Sequence, residues 1–414
     1  MSACRTAIRI GVWLARLLTG AVFIASGWAK CVDPMGFVYK IEEYLQAWGA
    51  ASIFPVQVIV ILAVALSTFE LITGVALLSG AFKRLAPVCG LVMMILMLPL
   101  TLYVWIADPV ADCGCFGDML HISNAATFLK NVVLTALLVY LYRYNGRCLP
   151  IFRHGMQWIA LCLTGIYGVT IASIGWNFQP IVDFRSYPVG SEILGEADST
   201  APEYIYEKNG HEATFTLDAL PDSTWTFVGK AADANNGNES LAIFDGDDEV
   251  TEDVLGDADT DLYILVVSEP GLNFLAHARK ANEICKAVEA DGSRMIAVVA
   301  ASGETLERWK NFAMPDYEVY SSSDTSLKEF ARGGAALVAV KDGHIAWKRN
   351  MSTLNAADFT TGKYYSDIYI FDDGSLAKCL TGAVISLLIL LWIISASSLL
   401  IRSKISKRTA TQSK

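Results

Sequence analysis

Cys113 and Cys115 stand one glycine apart in the stretch Ala111-Asp-Cys-Gly-Cys-Phe-Gly-Asp-Met119, a short polar loop between two apolar runs. Residues i and i+2 place their Cα atoms about 5.5–7 Å apart, overlapping the window a disulfide tolerates. The ring closed by such a bond is very small, and strained, exposed disulfides are the labile ones. The pair therefore reads first as a redox couple that cycles between dithiol and disulfide. A zinc site on Cys113, Cys115 and His121 would need a fourth ligand that the sequence does not offer, so no metal is expected. The flanking carboxylates Asp112 and Asp118 should raise a thiol pKa. A reactive thiolate would need a cation, and Lys30 is the candidate.

The elements that must position this loop are membrane helices. The chain has 414 residues, 53% hydrophobic and only 18% charged, too apolar for one soluble domain. The apolar surplus falls into blocks of bilayer-spanning length. Six spans are predicted, at about 8–30, 55–80, 86–107, 124–143, 156–177 and 379–402. Arg5 and Arg9 ahead of the first block resemble a signal peptide, but further spans follow directly, so the block reads as a retained helix. Basic residues cluster before span one, between spans two and three (Lys83, Arg84), between four and five (Arg143, Arg147, Arg153) and after six. The positive-inside rule makes all these segments, and both termini, cytoplasmic. The Cys-Gly-Cys loop and the stretch 178–377 then face outward, which in a bacterial inner membrane means the oxidising periplasm. Membrane lipid is thus an expected partner. The outward stretch carries most of the net charge of −10, which argues against nucleic-acid binding.

Four parts follow: 1–150 with four spans and the loop, 151–180 with the fifth, 181–377 outside the membrane, and 378–414 with the sixth span and a basic tail. Between spans one and two, Phe37, Val38, Ile41, Leu45 and Trp48 share one face of a helix over 34–49. It should lie in the outer interface, as a connector or a lid. The outer part opens with a hairpin over 204–217 around Asn209-Gly210. Asp257-Ala-Asp-Thr-Asp261 begins like a calcium loop, but Leu262 stands where glycine is needed and Ser268 where glutamate is, so a solvated acidic edge is the reading. The order that follows, β-α-β-α-(β)-α-β-β, suits a thioredoxin-like α/β domain. Where such a domain keeps its redox cysteines, this one has Ser268-Glu269-Pro270-Gly271. Its one cysteine, Cys285, lies on an apolar stripe and reads as a core thiol. The predicted fold class is therefore a membrane all-α four-helix bundle plus additional transmembrane helices, with an extracytoplasmic thioredoxin-like α/β domain lacking the dithiol.

Two ionisable residues lie within spans at comparable depth, Arg16 in span one and Glu70 in span two. They are expected to meet as an intramembrane pair, structural or lining a ligand or proton path. Cys31 and Cys379 fall near outer span ends, and Cys31 is the better candidate for a shuttle thiol.

Arg16-x3-Gly20-x6-Gly27-x2-Lys30, Glu70-x3-Gly74 and Asp112-Cys-Gly-Cys-Phe-Gly-Asp118 resemble the DoxX/MauE superfamily of four-helix membrane proteins, over about residues 8–145. MauE-type proteins are linked to disulfide formation in methylamine dehydrogenase maturation, and DoxX-type relatives to quinone-coupled sulfur or thiol redox. The whole chain is similar to DoxX-type proteins of the Bacteroides group. The resemblance implies thiol–disulfide chemistry at Cys113 and Cys115 with a quinone as electron acceptor, and the outer domain is expected to recruit a periplasmic protein client. The fused outer domain departs from the methylamine setting, so that substrate is not carried over. The competing reading is a non-catalytic membrane scaffold whose Cys-Gly-Cys disulfide pins a tight loop. A small-molecule transporter has only Arg16 and Glu70 in its favour.

Overall fold

The computed structural model describes residues 2–50, 53–107, 110, 113–120, 122–194, 203–208, 211–216, 226–230, 241–256, 260–360 and 373–412. Asp112, His121, Asp257 and Asp259 lie outside them, as does the side chain of Cys4. The contacts divide the chain into two compact units, Met1–Phe184 with Ser366–Lys414, and Arg185–Tyr365.

The first unit is helical: α1 (Ser2–Val32), α2 (Pro34–Ala47), α3 (Val56–Ser79), α4 (Leu85–Ala107), α5 (Asn124–Tyr144), α6 (His154–Asn177) and a C-terminal helix, Asp373–Gln412. Among the described residues six segments are long and apolar enough to cross a membrane: Arg5–Val32, Val56–Ser79, Leu85–Ala107, Asn124–Arg147, His154–Asn177 and Lys378–Ser397. Many large apolar side chains on these helices stay exposed, including Ile61, Ile95, Leu96 and Ile106. In water such a surface would be costly; in lipid it is the solvent-facing side.

Helices α1 and α3 run antiparallel in backbone contact. A Cβ on Gly27 would sit 2.5 Å from the Leu71 amide nitrogen, and one on Gly74 would sit 2.6 Å from that of Ile24. Small residues permit this approach, which is how helices gain packing energy where lipid already solvates apolar side chains. Gly27→Val should force the pair apart and cost about 1–3 kcal/mol, read as a lower unfolding midpoint in mixed micelles.

The contact also fixes axial register, and here the structure corrects the expected pairing of Arg16 with Glu70. With Gly27 against Leu71, Glu70 is level with about residue 28 of α1, so Arg16 lies about 18 Å away along the axis at 1.5 Å per residue. Arg16 is fully buried at the other end of the bundle. Its Nε donates to Asn145 Oδ1 at 2.7 Å, Nη1 to the Leu149 carbonyl at 3.0 Å, and Nη2 to the carbonyls of Asn145 and Cys148. Asn145 Nδ2 in turn donates to the Lys83 carbonyl at 2.9 Å. Arg16 thus ties α1 to the two connections that carry the basic residues. The C-terminal helix packs antiparallel on α6, with Tyr167 hydroxyl bonded to Thr381 Oγ1 at 2.8 Å and the Arg153 amide to Ser395 Oγ at 2.9 Å.

In the second unit, strands β1 (Glu203–Lys208) and β2 (His211–Thr216) form the expected hairpin, and β3 (Thr226–Lys230) pairs with β1 on its other side. The larger sheet contains β4 (Phe244–Asp245), β5 (Asp248–Glu249), β6 (Leu262–Val267), β7 (Arg294–Val299), β8 (Glu318–Ser321), β9 (Ala335–Lys341) and β10 (His344–Asn350). Its order is β10-β9-β6-β7-β8-β4-β5, with β6, β7 and β8 parallel and β9 and β10 antiparallel additions. The helices are α7 (Thr251–Leu255), α8 (Leu272–Ala290), α9 (Gly303–Ala313), α10 (Asp324–Phe330) and α11 (Ala356–Thr360). Every residue of β6 is buried, as a central strand covered on both faces requires. The acidic segment that starts at Asp245, expected as a solvated acidic edge, forms the short strands β4 and β5 at the end of the sheet, with β5 exposed, and helix α7.

Candidate functional site: the Cys113-Gly114-Cys115 loop

The loop lies at the end of the bundle opposite Arg16, against the C-terminal part of α1, α2 and the start of α5. Three features of the sequence shape it locally. Gly114 has φ +64°, a left-handed conformation that glycine takes without strain. Its missing side chain also leaves room for Lys40 of α2, whose Cγ would be 2.7 Å from a Cβ there. Gly117, at φ +54°, then turns the chain into a single 3-10 turn over Gly117–Met119.

Two hydroxyls clamp the loop by its backbone. Ser26 of α1 donates to the Cys115 carbonyl, and Tyr44 of α2 to the Cys113 carbonyl at 3.3 Å. Helix α2 is the predicted amphipathic segment. Asp33 caps its start by accepting from the Gly36 amide at 2.9 Å, and Met35 and Val38 pack on Ile59, Val60 and Ala63 of α3. The helix is therefore a fixed wall beside the cysteines.

The thiols stand 3.1 Å apart as a hydrogen-bonded pair. Cys113 is buried, 8% exposed, and Cys115 half-buried. The two are electrostatically unequal. Cys115 is lowered below the ordinary thiol range, first by the hydrogen bond it receives from Cys113 and then, against its desolvation, by the charges of Lys130 and Lys30; Glu70 opposes them. Cys113 is raised, by donating that hydrogen bond, by burial and by the charge on Cys115. At Cys115 the exception foreseen for an approaching cation applies, with the sulfur-to-sulfur bond and two lysines lowering the thiol, whereas Cys113 is raised.

Lys30 was the anticipated cation, and its setting is specific. Its Nζ lies 2.8 Å from Glu70 Oε2 and 3.1 Å from Ser26 Oγ, and the side chain is nearly inaccessible. Ser26 and Lys30 are four residues apart, one turn along the same face of α1. That spacing could have identified Ser26 from the sequence. Lys130, in the second turn of α5, stands 4.4 Å from the Phe116 ring centroid. Tyr44, Ser26 and Lys130 are the site residues that the sequence reading missed.

The remaining candidates lie elsewhere. Cys31 is buried on a different flank of α1, among Leu71, Tyr167 and Ile171. Cys379 is exposed on the C-terminal helix. An apolar cavity of about 640 Å³ lies between α1, α3, α6 and the C-terminal helix, beside Trp28, whose Nε1 donates to Tyr167 at 2.9 Å. Trp28 and Lys30 are two residues apart and so about 200° apart around α1, which puts this cavity and the thiols on different faces of that helix. Cys285 is fully buried in the second unit, and burial pushes its thiol up to about 12.

Residues 8–143 match the family described as methylamine utilisation protein MauE, and residues 200–231 match a domain of unknown function (DUF8463). The first match contains the Cys-Gly-Cys loop, α2, α3, α4 and nearly all of α1 and α5. No curated protein and no solved structure matches the chain. With the six apolar helices, the MauE match makes the chain a multi-pass membrane protein.

Proposed function

We propose that the chain is a membrane thiol–disulfide redox protein in which Cys113 and Cys115 exchange electrons with a protein client and a membrane quinone. The observation that carries this reading is the unequal dithiol, with half-buried Cys115 favoured as thiolate and the buried Cys113 sulfur 3.1 Å away. A structural staple needs neither the inequality nor the lysines. The MauE match over the same residues supports redox work of this class. The quinone is inferred from the position of the loop at the end of an apolar bundle, where a lipid-soluble acceptor could reach it.

The basic connections all lie at the Arg16 end, and the thiols at the opposite end. Under the positive-inside rule this favours a bacterial inner membrane with the loop on the periplasmic side. The second unit has the strand order of a thioredoxin-like domain in its β10-β9-β6-β7 portion, but its one described cysteine is inert. Its role in this reading is to bind the client.

The test is differential alkylation of Cys113 and Cys115 in cells, with and without quinone depletion. The expected result is a mixed population that shifts toward dithiol on depletion. A pair that stays oxidised whatever the quinone pool would establish the second reading, a scaffold with a structural disulfide. The thiol-poor second unit is the observation in its favour.

A further inference from the structure

The thiols are faced by charged or titratable groups from every packed element: Lys30 of α1, Lys40 and Tyr44 of α2, Glu70 of α3, Lys130 of α5 and Asp118 of the loop itself. Lys40 is paired with Glu43 at 2.8 Å. Asp118 has partners of its own. Lys30 is fixed by Glu70 and by Ser26, which also holds the Cys115 carbonyl, so its charge cannot swing away from the loop. Lys130 comes from another helix and, among the described residues, makes no ion pair that would cancel it. Two cations on two helices thus bear on half-buried Cys115, Lys30 through the Ser26 that holds its carbonyl and Lys130 over the ring of the neighbouring Phe116. We propose that Lys30 and Lys130 are positioning residues that stabilise the Cys115 thiolate, and so poise the pair as an oxidant of client dithiols.

This inference rests on the redox reading above and gives it a direction. A client thiolate attacks the sulfur of Cys115, the less buried residue of the pair; the Cys113–Cys115 bond breaks, and Cys113 leaves and takes a proton. The second client thiol, ionised by loss of its proton to water, then attacks the client sulfur of the mixed disulfide. Cys115 leaves as the thiolate that the lysines favour. The client gains a disulfide and the pair gains two electrons, and the proton taken by Cys113 balances the one lost by the second client thiol. Stabilising the reduced form makes a disulfide more oxidising, and a lower leaving-group pKa speeds its departure.

The experiment uses the full chain in lipid nanodiscs. Iodoacetamide labelling of Cys115 is followed against pH by peptide mapping, and the Cys113–Cys115 couple is equilibrated with glutathione. Lys130→Met and Lys30→Met should each raise the labelling midpoint. Each should also move the couple toward disulfide, by about tenfold for buried Lys30, which is about 30 mV, and by about threefold for half-buried Lys130. Lys30→Arg and Lys130→Arg should restore both values. If Lys30→Met does not fold, Lys130→Met decides alone, since it breaks no ion pair. Unchanged midpoints and equilibria in the folded lysine variants would overturn the inference. Neither readout needs a client or a quinone, so a failure in cells of the redox reading remains distinguishable from failure here.

Discussion

Under mild oxidation by a small disulfide, whose mixed disulfide with Cys115 a client thiolate then displaces, Cys113→Ser should capture the client through Cys115, visible as a reducible adduct on a non-reducing gel. Cys115→Ser should capture at least about tenfold less. The half-exposed Cys115 can be reached and keeps thiolate character from Lys30 and Lys130 when Cys113 is gone. Serine at 113 can still donate a hydrogen bond to it. In the reverse variant the remaining thiol is Cys113, 8% exposed and raised by its burial. The thiolate is the nucleophile, so both access and ionisation act in the same direction. The asymmetry should survive from pH 7 to pH 8, since an ordinary thiol gains only about tenfold in thiolate per pH unit. Equal capture by the two variants would rule out the inequality on which the proposed chemistry depends.

Glu70→Ala should be the most destabilising single change in the first unit. It leaves the Lys30 ammonium buried without its carboxylate, in a site where the two side chains are 4% and 13% exposed. Removing one partner of a buried pair costs about 3–5 kcal/mol, while replacing both with apolar groups is often neutral. Lys30→Met with Glu70→Leu should therefore recover most of the loss. Unfolding midpoints of the two single variants and the double variant, combined as a cycle, measure the coupling. A double variant as unstable as the sum of the singles would mean that the pair does not interact as drawn. The rescued double variant should nevertheless label more slowly at Cys115, separating what holds the helices together from what tunes the thiol.

The parts of this molecule written in one stretch of sequence were readable there. The six spans, the 34–49 helix and most strands of the second unit follow from local hydrophobic pattern. The pairing of Cys113 with Cys115 was legible too, since it depends on two residues and their spacing, and their sulfurs stand 3.1 Å apart. What sequence pattern could not supply was the axial offset between helices. Arg16 and Glu70 are each buried polar residues in apolar spans, and counting inward from the basic ends places them at one depth. The true offset is set where Gly27 meets Leu71 and Gly74 meets Ile24, a tertiary fact. The same offset brings Glu70 to Lys30. Lys130 was overlooked because it looks like an interfacial anchor near the start of its helix, and its distance from Cys115 depends on how the loop turns at Gly114 and Gly117.

Helix α1 is held at both ends of its membrane passage, by Arg16 in its carbonyl nest and by Lys30 and Ser26 at the loop. Fourteen residues separate the two lysine and arginine anchor points, about 21 Å of helix. That interval behaves as a ruler of fixed length and fixed phase. One residue inserted between them would carry Lys30 about 100° around the axis and 1.5 Å along it, away from Glu70 and the cysteines together. Substitutions on the lipid-facing side of this interval should be freely exchanged, whereas insertions and deletions of any size short of whole turns should not. A length polymorphism there would be a silent change in hydropathy and a complete change in chemistry.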